Sequence, residues 1–221
     1  MAEENFHTNG VEIAKVGQDG RVALTGGGVE IRRVGKPLES TVLKGGSVYL
    51  VIDCSGSMAG GKTAQAKKGA LDFAEEALSK RYAVGVISFA FVATHMCELR
   101  EQLSQVQRSL SRLEPNGSTN MAGGIELATV KLRGKAGPLA MVVITDGVPD
   151  DQSAALRAAG DAKKYGIDVI TVGTDDADRS FLRRLASRND LLVVVKSEQL
   201  GQGIAAAAGM LSGGLGPTKE P

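Results

Sequence analysis

The chain has 221 residues, of which 43% are hydrophobic and 23% are charged, and its formal net charge is +1. These values are typical of a globular protein, and the near-neutral charge lacks the clustered basic excess of a general nucleic-acid-binding surface. No apolar stretch approaches the roughly 20 residues that a helix needs to cross a bilayer. We therefore expect neither a nucleic acid nor a membrane as a partner.

Residues 1–45 are predicted to form an extension with short β segments. Bursts of alternating residues at 10–13, 21–24 and 29–34 are separated by glycine-rich turns, which predicts small hairpins. Two or three such strands are too few to stand alone, so we expect them to pack on the rest of the chain or on a partner. The first residues lack the basic and apolar segments of a signal peptide. We therefore expect a cytoplasmic protein whose two cysteines are reduced.

Residues 46–211 alternate between apolar strands and amphipathic helices, and residues 212–221 are predicted to be a flexible tail. Alternation of this kind predicts an α/β domain in which helices cover both faces of a mostly parallel sheet. The segment 91–99 is short and polar and follows its neighbour after a tight turn, so it is expected to be an antiparallel edge strand. The predicted strands are 48–53, 83–89, 91–99, 138–145, 168–172 and 191–195. The predicted helices are 62–80, 100–113, 120–132, 151–165, 179–187 and 198–211.

The first of these strands ends in a group of oxygen-bearing side chains. Its apolar run stops at Asp53, and Ser55 and Ser57 follow before a helix begins near Lys62. In open α/β sheets, ligands bind outside the carboxyl ends of the strands, so this loop lies where a site is expected. Carboxylate and hydroxyl oxygens are suited to magnesium, calcium or manganese rather than to zinc or copper.

Three separated segments together resemble a known family. Asp53-Cys-Ser-Gly-Ser57 resembles the Asp-x-Ser-x-Ser signature of von Willebrand factor A (VWA) domains, in which it forms most of a metal-ion-dependent adhesion site (MIDAS). Residues 117–121, Gly-Ser-Thr-Asn-Met, resemble the family's Gly-x-Thr-x loop, and residues 145–147 resemble its Thr-Asp-Gly. The resemblance covers roughly residues 46–211. Because the three segments occur in the right order, we identify the chain as resembling a bacterial, cytosolic VWA domain with an intact MIDAS.

The resemblance implies a Rossmann-like, doubly wound sheet of six strands in the order 3-2-1-4-5-6, with the third strand antiparallel. It implies that Ser55, Ser57 and Thr119 bind a metal through their hydroxyl oxygens. Asp53 and Asp146 would act mainly through bound waters and hydrogen bonds. The expected metal is Mg²⁺, with Mn²⁺ or Ca²⁺ as alternatives.

The resemblance also implies what the site does. A carboxylate from an Asp or Glu of a partner protein would complete the metal's coordination shell, so the implied function is metal-dependent protein–protein interaction without catalysis. Related bacterial domains suggest an AAA-type ATPase or a component of a phosphorylation system as the partner.

A second interpretation uses the same loop. Residues 56–63 match the phosphate-binding pattern G-x-x-x-x-G-K-[ST], which in P-loop proteins also follows a strand. A P-loop hydrolase would use Lys62, Thr63 and Asp146. Against it, Asp53 stands between the strand and the first glycine, where a carboxylate would repel a triphosphate. In the VWA interpretation Lys62 is predicted to be a first-turn surface lysine.

Several of these residues also have ordinary structural roles. Ser118 or Thr119 is predicted to cap the helix that follows them, Asp53 could cap the next helix, and Asp146 could form a turn. Cys54 is predicted to be a small packing residue rather than a nucleophile, because it has no evident His-Asp partner.

Overall fold

The computed structural model of the chain describes residues 45–212 in full and the backbone of three short strands near the N-terminus. The chain divides into two units, Met1–Val42 and Leu43–Pro221. In the first unit, strands β1 (His7–Thr8), β2 (Val11–Val16) and β3 (Val22–Leu24) form an antiparallel sheet in that order. The predicted strand at 29–34 and nearly all of the predicted tail lie outside the described residues. The division into extension, domain and tail stays a prediction.

The second unit is built on a six-stranded sheet in the order β6-β5-β4-β7-β8-β9. Every neighbouring pair is parallel except β5 and β6, which are antiparallel. Counted from the first strand of this sheet, the order is 3-2-1-4-5-6 with an antiparallel third strand, which confirms the predicted fold. The strands are β4 (Ser47–Asp53), β5 (Ala83–Phe89), β6 (Ala93–Arg100), β7 (Leu139–Thr145), β8 (Ile167–Thr174) and β9 (Leu192–Val195).

Helices cover both faces of this sheet. Successive side chains of a strand point to opposite faces, and β4 is buried throughout. Leu50 and Ile52 belong to the core on one face, with α1, α2 and α6, whereas Tyr49 and Val51 belong to the core on the other, with α3, α4 and α5. The helices are α1 (Gly61–Ser79), α2 (Leu103–Ser111), α3 (Met121–Leu132), α4 (Gln152–Lys164), α5 (Arg179–Leu185) and α6 (Leu200–Ala206).

Between residues 45 and 212 every predicted strand and helix is present, and where it differs from the observed one it does so at its ends; the two-residue strand β1 was not predicted. The last predicted helix, 198–211, is a shorter α6 followed by a turn of 3₁₀ helix, Ala207–Met210. Among the helices of the described region, none combines the length and the apolar character needed to span a bilayer.

The sheet order places the ends of β4 and β7 next to each other. Ile52 pairs with Ile144 in the parallel register of the two strands, so Asp53 and Asp146 follow at the same edge. The chain runs from β4 outward to β5 and later returns to β7 on the other side of β4. This is a topological switch point, where α/β sheets open a crevice for ligands.

Candidate metal site

Asp53 is a buried carboxylate with both of its oxygens occupied. The residue is 1% exposed. Its Oδ1 accepts the backbone N–H of Ser55 at 2.8 Å, and its Oδ2 accepts the hydroxyl of Thr145 at 2.7 Å. Burial raises the pKa of Asp53 above its ordinary value, against the lowering effect of these hydrogen bonds. The carboxylate is therefore held in place by these two bonds. It does not cap the next helix, α1, whose N-cap residue is Gly60.

The hydroxyls of Ser55 and Ser57 come together with Asp146. A turn of 3₁₀ helix, Gly56–Met58, follows Ser55 and places Ser57 next to Asp146, which follows β7. Ser57 Oγ donates to Asp146 Oδ1 at 2.8 Å and lies 3.1 Å from Ser55 Oγ. Ser57 is exposed, whereas Ser55 and Asp146 are buried. Ser57 thus lies at the boundary between a buried polar cluster and solvent.

The loop that carries Thr119 is attached to both neighbouring loops. Gly117, which has a φ of 84°, accepts the N–H of Gly56 through its carbonyl at 3.1 Å. The N–H of Thr119 donates to the carboxylate of Asp150 at 3.1 Å, and the Thr119 carbonyl accepts the N–H of Asp150 at 3.1 Å. Asp150, which belongs to none of the three family motifs, therefore positions this loop.

The helix cap in this loop differs from the prediction. Asn120 caps α3, because its Oδ1 accepts the N–H of Gly123 at 3.1 Å. Neither Ser118 nor Thr119 has that role, because each lies outside the cap position. The Thr119 hydroxyl is therefore not needed to start the helix. Within the described residues it makes no hydrogen bond to the other four predicted site residues. Those four form a chain of direct hydrogen bonds, from Asp53 to Ser55, from Ser55 to Ser57 and from Ser57 to Asp146.

Lys62 is not the surface lysine that the sequence predicted. Its Nζ donates to Asp146 Oδ2 at 2.7 Å and lies 3.4 Å from Asp176 Oδ2. The side chain of Asp146 is 0% exposed and that of Lys62 is 24% exposed. The hydrogen bond to Asp146 raises the pKa of Lys62. Side chains in the first turn of a helix point back toward its N-terminus, which directs Lys62 toward the site. A buried carboxylate needs a counter-charge, and the Lys62 ammonium provides it for Asp146.

The other acids near the site are structural. Asp151 and Asp178 cap α4 and α5 by accepting backbone N–H groups, as their predicted helix-start positions imply.

Cys54 is 6% exposed, and burial, together with the charge of Asp53, raises the pKa of its thiol to about 12. A buried thiol that stays protonated at neutral pH is a packing group rather than a nucleophile.

The donors collected here fit a hard divalent cation. The described part of the chain contains no group of three or more His, Cys, Asp or Glu side chains that could hold a metal, so a carboxylate-rich or soft-ligand site is not formed there. Hydroxyl oxygens backed by two carboxylates suit Mg²⁺, which keeps several of its waters. The assignment of Asp53, Ser55, Ser57, Thr119 and Asp146 to a metal stays a prediction.

The same geometry argues against a phosphate-binding loop. Such a loop cradles phosphates with backbone N–H groups. Here the N–H of Gly56 donates to Gly117, that of Met58 to the Ser55 carbonyl at 3.1 Å, and that of Ala59 to the Gly56 carbonyl at 3.2 Å. Three of the amides in the pattern are therefore already bonded within the protein.

Comparison with known proteins gives the family. A family model described as von Willebrand factor type A domain matches residues 47–206, whereas no curated protein matches the chain. Among solved structures, the vWF domain of the type V pili tip protein Mfa5 from Porphyromonas gingivalis has a TM-score of 0.67 at 13% identity, covering 75% of this chain and 94% of its own. The conserved hypothetical protein BatB from Bacteroides thetaiotaomicron has a TM-score of 0.60 at 22% identity, covering 75% and 100%.

A third structure is that of proximal thread matrix protein 1 from the mussel byssus, with a zinc-occupied MIDAS motif. Its TM-score is 0.65 at 17% identity, covering 75% of this chain and 46% of the mussel chain, so the present chain spans less than half the length of that protein. At these identities the solved structures show the shared fold. The family model covers well over half of the chain, which therefore belongs to the von Willebrand factor type A domain family.

Proposed function

We propose that this chain is a metal-dependent protein-interaction module that binds an acidic residue of a partner through Mg²⁺. The observation that carries the proposal is the position of Ser57 Oγ, 2.8 Å from Asp146 Oδ1 and 3.1 Å from Ser55 Oγ. Ser55, Ser57 and Thr119 would hold the cation, and Asp53 and Asp146 would orient the hydroxyls and bound waters. The cation would supply an electrophilic position for a carboxylate, because neutral hydroxyls do not quench its charge. The zinc-occupied MIDAS motif of the mussel protein supports a divalent cation at this motif.

Exposed apolar side chains around the site support a protein as the partner. Five large hydrophobic residues of the described region are exposed, and three of them, Phe91 (75%), Val92 (61%) and Val148 (52%), follow β5 and β7 at the site's edge of the sheet. The carbonyl of Phe91 accepts a hydrogen bond from Asn120 beside the Thr119 loop. Exposed apolar groups clustered at one place are typical of interaction surfaces. We therefore infer that the partner presents an Asp or Glu beside an apolar side chain, and an AAA-type ATPase or a phosphorylation-system component remains the proposed class.

The metal assignment is tested by titrating metal-stripped protein with MgCl₂ in a calorimeter. Ser57→Ala is expected to weaken Mg²⁺ binding by about tenfold or more, because it removes a hydroxyl that Asp146 orients. Ser111→Ala is the control, since Ser111 is an exposed serine on α2 whose hydroxyl donates to the nearby Arg108 carbonyl, and its backbone bond to Lys67 does not depend on the side chain. Full Mg²⁺ affinity in the Ser57 variant would contradict the site, and tight ATP binding in the presence of Mg²⁺ would favour the P-loop hydrolase.

The partner chemistry is tested by selecting peptides from a random display library in Mg²⁺ and eluting them with EDTA. The enriched peptides are expected to share one Asp or Glu next to an apolar residue. Changing that acid to Asn or Gln should abolish binding, and the Ser57→Ala protein should retain few of the same peptides. Enrichment of peptides without an acid, or binding that survives EDTA, would contradict a metal bridge.

A further inference from the structure

A lysine ammonium contacts the carboxylate that the metal site requires. Lys62 Nζ lies 2.7 Å from Asp146 Oδ2, while the other oxygen of Asp146 accepts the hydroxyl of Ser57 at 2.8 Å. The Asp146 side chain has no solvent exposure. A buried carboxylate is stable only with a counter-charge or hydrogen bonds. Lys62 supplies that counter-charge from within the chain.

A second carboxylate lies within reach of the same ammonium. Asp176 Oδ2 is 3.4 Å from Lys62 Nζ, and its side chain is 64% exposed. The hydroxyl of Ser197 donates to Asp176 Oδ2 at 3.0 Å and so helps to hold that acid in place. Lysine is a point charge on a flexible four-carbon stem. Its end can therefore move from Asp146 to Asp176 without any movement of α1.

A divalent cation at the hydroxyls of Ser55 and Ser57 would compete with this ammonium. Both cations would lie next to Asp146, and the repulsion between like charges a few ångströms apart is strong in a partly buried site. The cost is smaller if the ammonium moves toward solvent and finds a new acceptor. Asp176 is placed to be that acceptor.

We propose that Lys62 is a built-in competitor of the divalent cation, so that metal binding exchanges the ammonium at Asp146 for the metal and moves Lys62 to Asp176. This inference rests on the proposed function of the site. The exchange lowers the affinity for the metal alone. A partner carboxylate adds negative charge at the site, so it favours the metal-bound state, and metal and partner then bind with positive coupling.

The competition is tested by measuring Mg²⁺ and Mn²⁺ affinities of metal-stripped Lys62→Met protein. Removal of the competing charge is expected to tighten binding by about tenfold. Lys68→Met is the matched control: it removes one positive charge from the same helix, where Lys68 is 78% exposed and pairs with Asp72. The control should keep wild-type affinity. Equal or weaker affinity in the Lys62 variant would overturn the inference.

The two proposals fail in different ways. Metal binding by the wild type with no gain in Lys62→Met would overturn the competition and leave the proposed function standing, whereas no binding by either protein would overturn both. If Lys62→Met does not fold, the Asp176→Asn variant tests the competition instead, because it removes the acceptor for the displaced ammonium. Asp176→Asn should bind Mg²⁺ about threefold more weakly than the control Asp175→Asn, which makes the same charge change at the neighbouring residue. Equal affinities of these two variants would overturn the competition.

Discussion

Gly69→Ala is expected to destabilise the domain by about 3 kcal/mol or more, although alanine is the better helix former. A Cβ at Gly69 would lie 2.7 Å from the Cα of Gly201 and closer still to its carbonyl oxygen. From the other side, a Cβ at Gly201 would lie 2.9 Å from the carbonyl oxygen of Gln65. The two backbones therefore meet without side chains between them, and one methyl group must push α1 and α6 apart.

The loss is measured as a fall of the melting temperature by about 6–12 °C, or from urea denaturation. Gly160→Ala is the matched control, because Gly160 is also a helical glycine but a Cβ there meets no atom within 4 Å. That control should gain about 0.5–1 kcal/mol from the higher helix propensity of alanine. Wild-type stability in Gly69→Ala would mean that α1 and α6 are not in backbone contact.

The fold could be predicted because its signal is carried by whole segments. An apolar run such as Ser47–Asp53 is buried on both faces, so it reads as a central parallel strand, and the alternation with amphipathic helices repeats along the chain. The order of the strands came from the family resemblance, since periodicity carries no information about which strands are neighbours. The contact between Gly69 and Gly201 could not be predicted, because glycine in a helix has the same pattern whether or not another backbone touches it.

The site was only partly predictable for a related reason. Asp53, Ser55 and Ser57 are close in sequence and form a recognisable pattern. Asp146 and Thr119 were found from their family motifs. The groups that hold them were missed, because a lysine in a first turn or an acid in a loop is ordinary by itself. Only the folded structure shows that Lys62 meets Asp146 across 84 positions of sequence and that Asp150 anchors the Thr119 loop across 31.

Asp53→Asn is expected to stabilise the metal-free protein and to abolish Mg²⁺ binding. Burial raises the pKa of Asp53 in the folded state, so between the unfolded and folded pKa values the folded state binds more protons than the unfolded state. Stability therefore falls as the pH rises through that interval and stays lower above it. At neutral pH the buried charge opposes folding, and asparagine removes it. The expected result is a higher melting temperature of the metal-free variant at neutral pH.

The hydrogen bonds around residue 53 can survive the change. The amide oxygen would still accept the N–H of Ser55, and the amide N–H₂ would donate to Thr145 Oγ1. The Thr145 hydroxyl can then turn its proton toward the carbonyl of Gly147, which lies 3.4 Å away. An exposed control, Asp161→Asn, removes a surface pair with Lys164 and should change the stability by less than about 0.5 kcal/mol.

The melting temperatures of the wild type and the Asp53→Asn variant should therefore rank in opposite orders in EDTA and in saturating Mg²⁺. In EDTA at neutral pH the variant should melt higher. The difference should begin to shrink as the pH falls through the raised pKa of Asp53 and should disappear below the pKa that Asp53 has in the unfolded state. In Mg²⁺ at about 100 times its dissociation constant, the wild type should gain about 2.7 kcal/mol from binding, whereas the variant gains nothing. A lower melting temperature of the variant in EDTA would show that the carboxylate's hydrogen bonds outweigh its burial. An unchanged ranking in Mg²⁺ would show that Asp53 does not support a metal, because the wild type would then gain no more stability from Mg²⁺ than the variant.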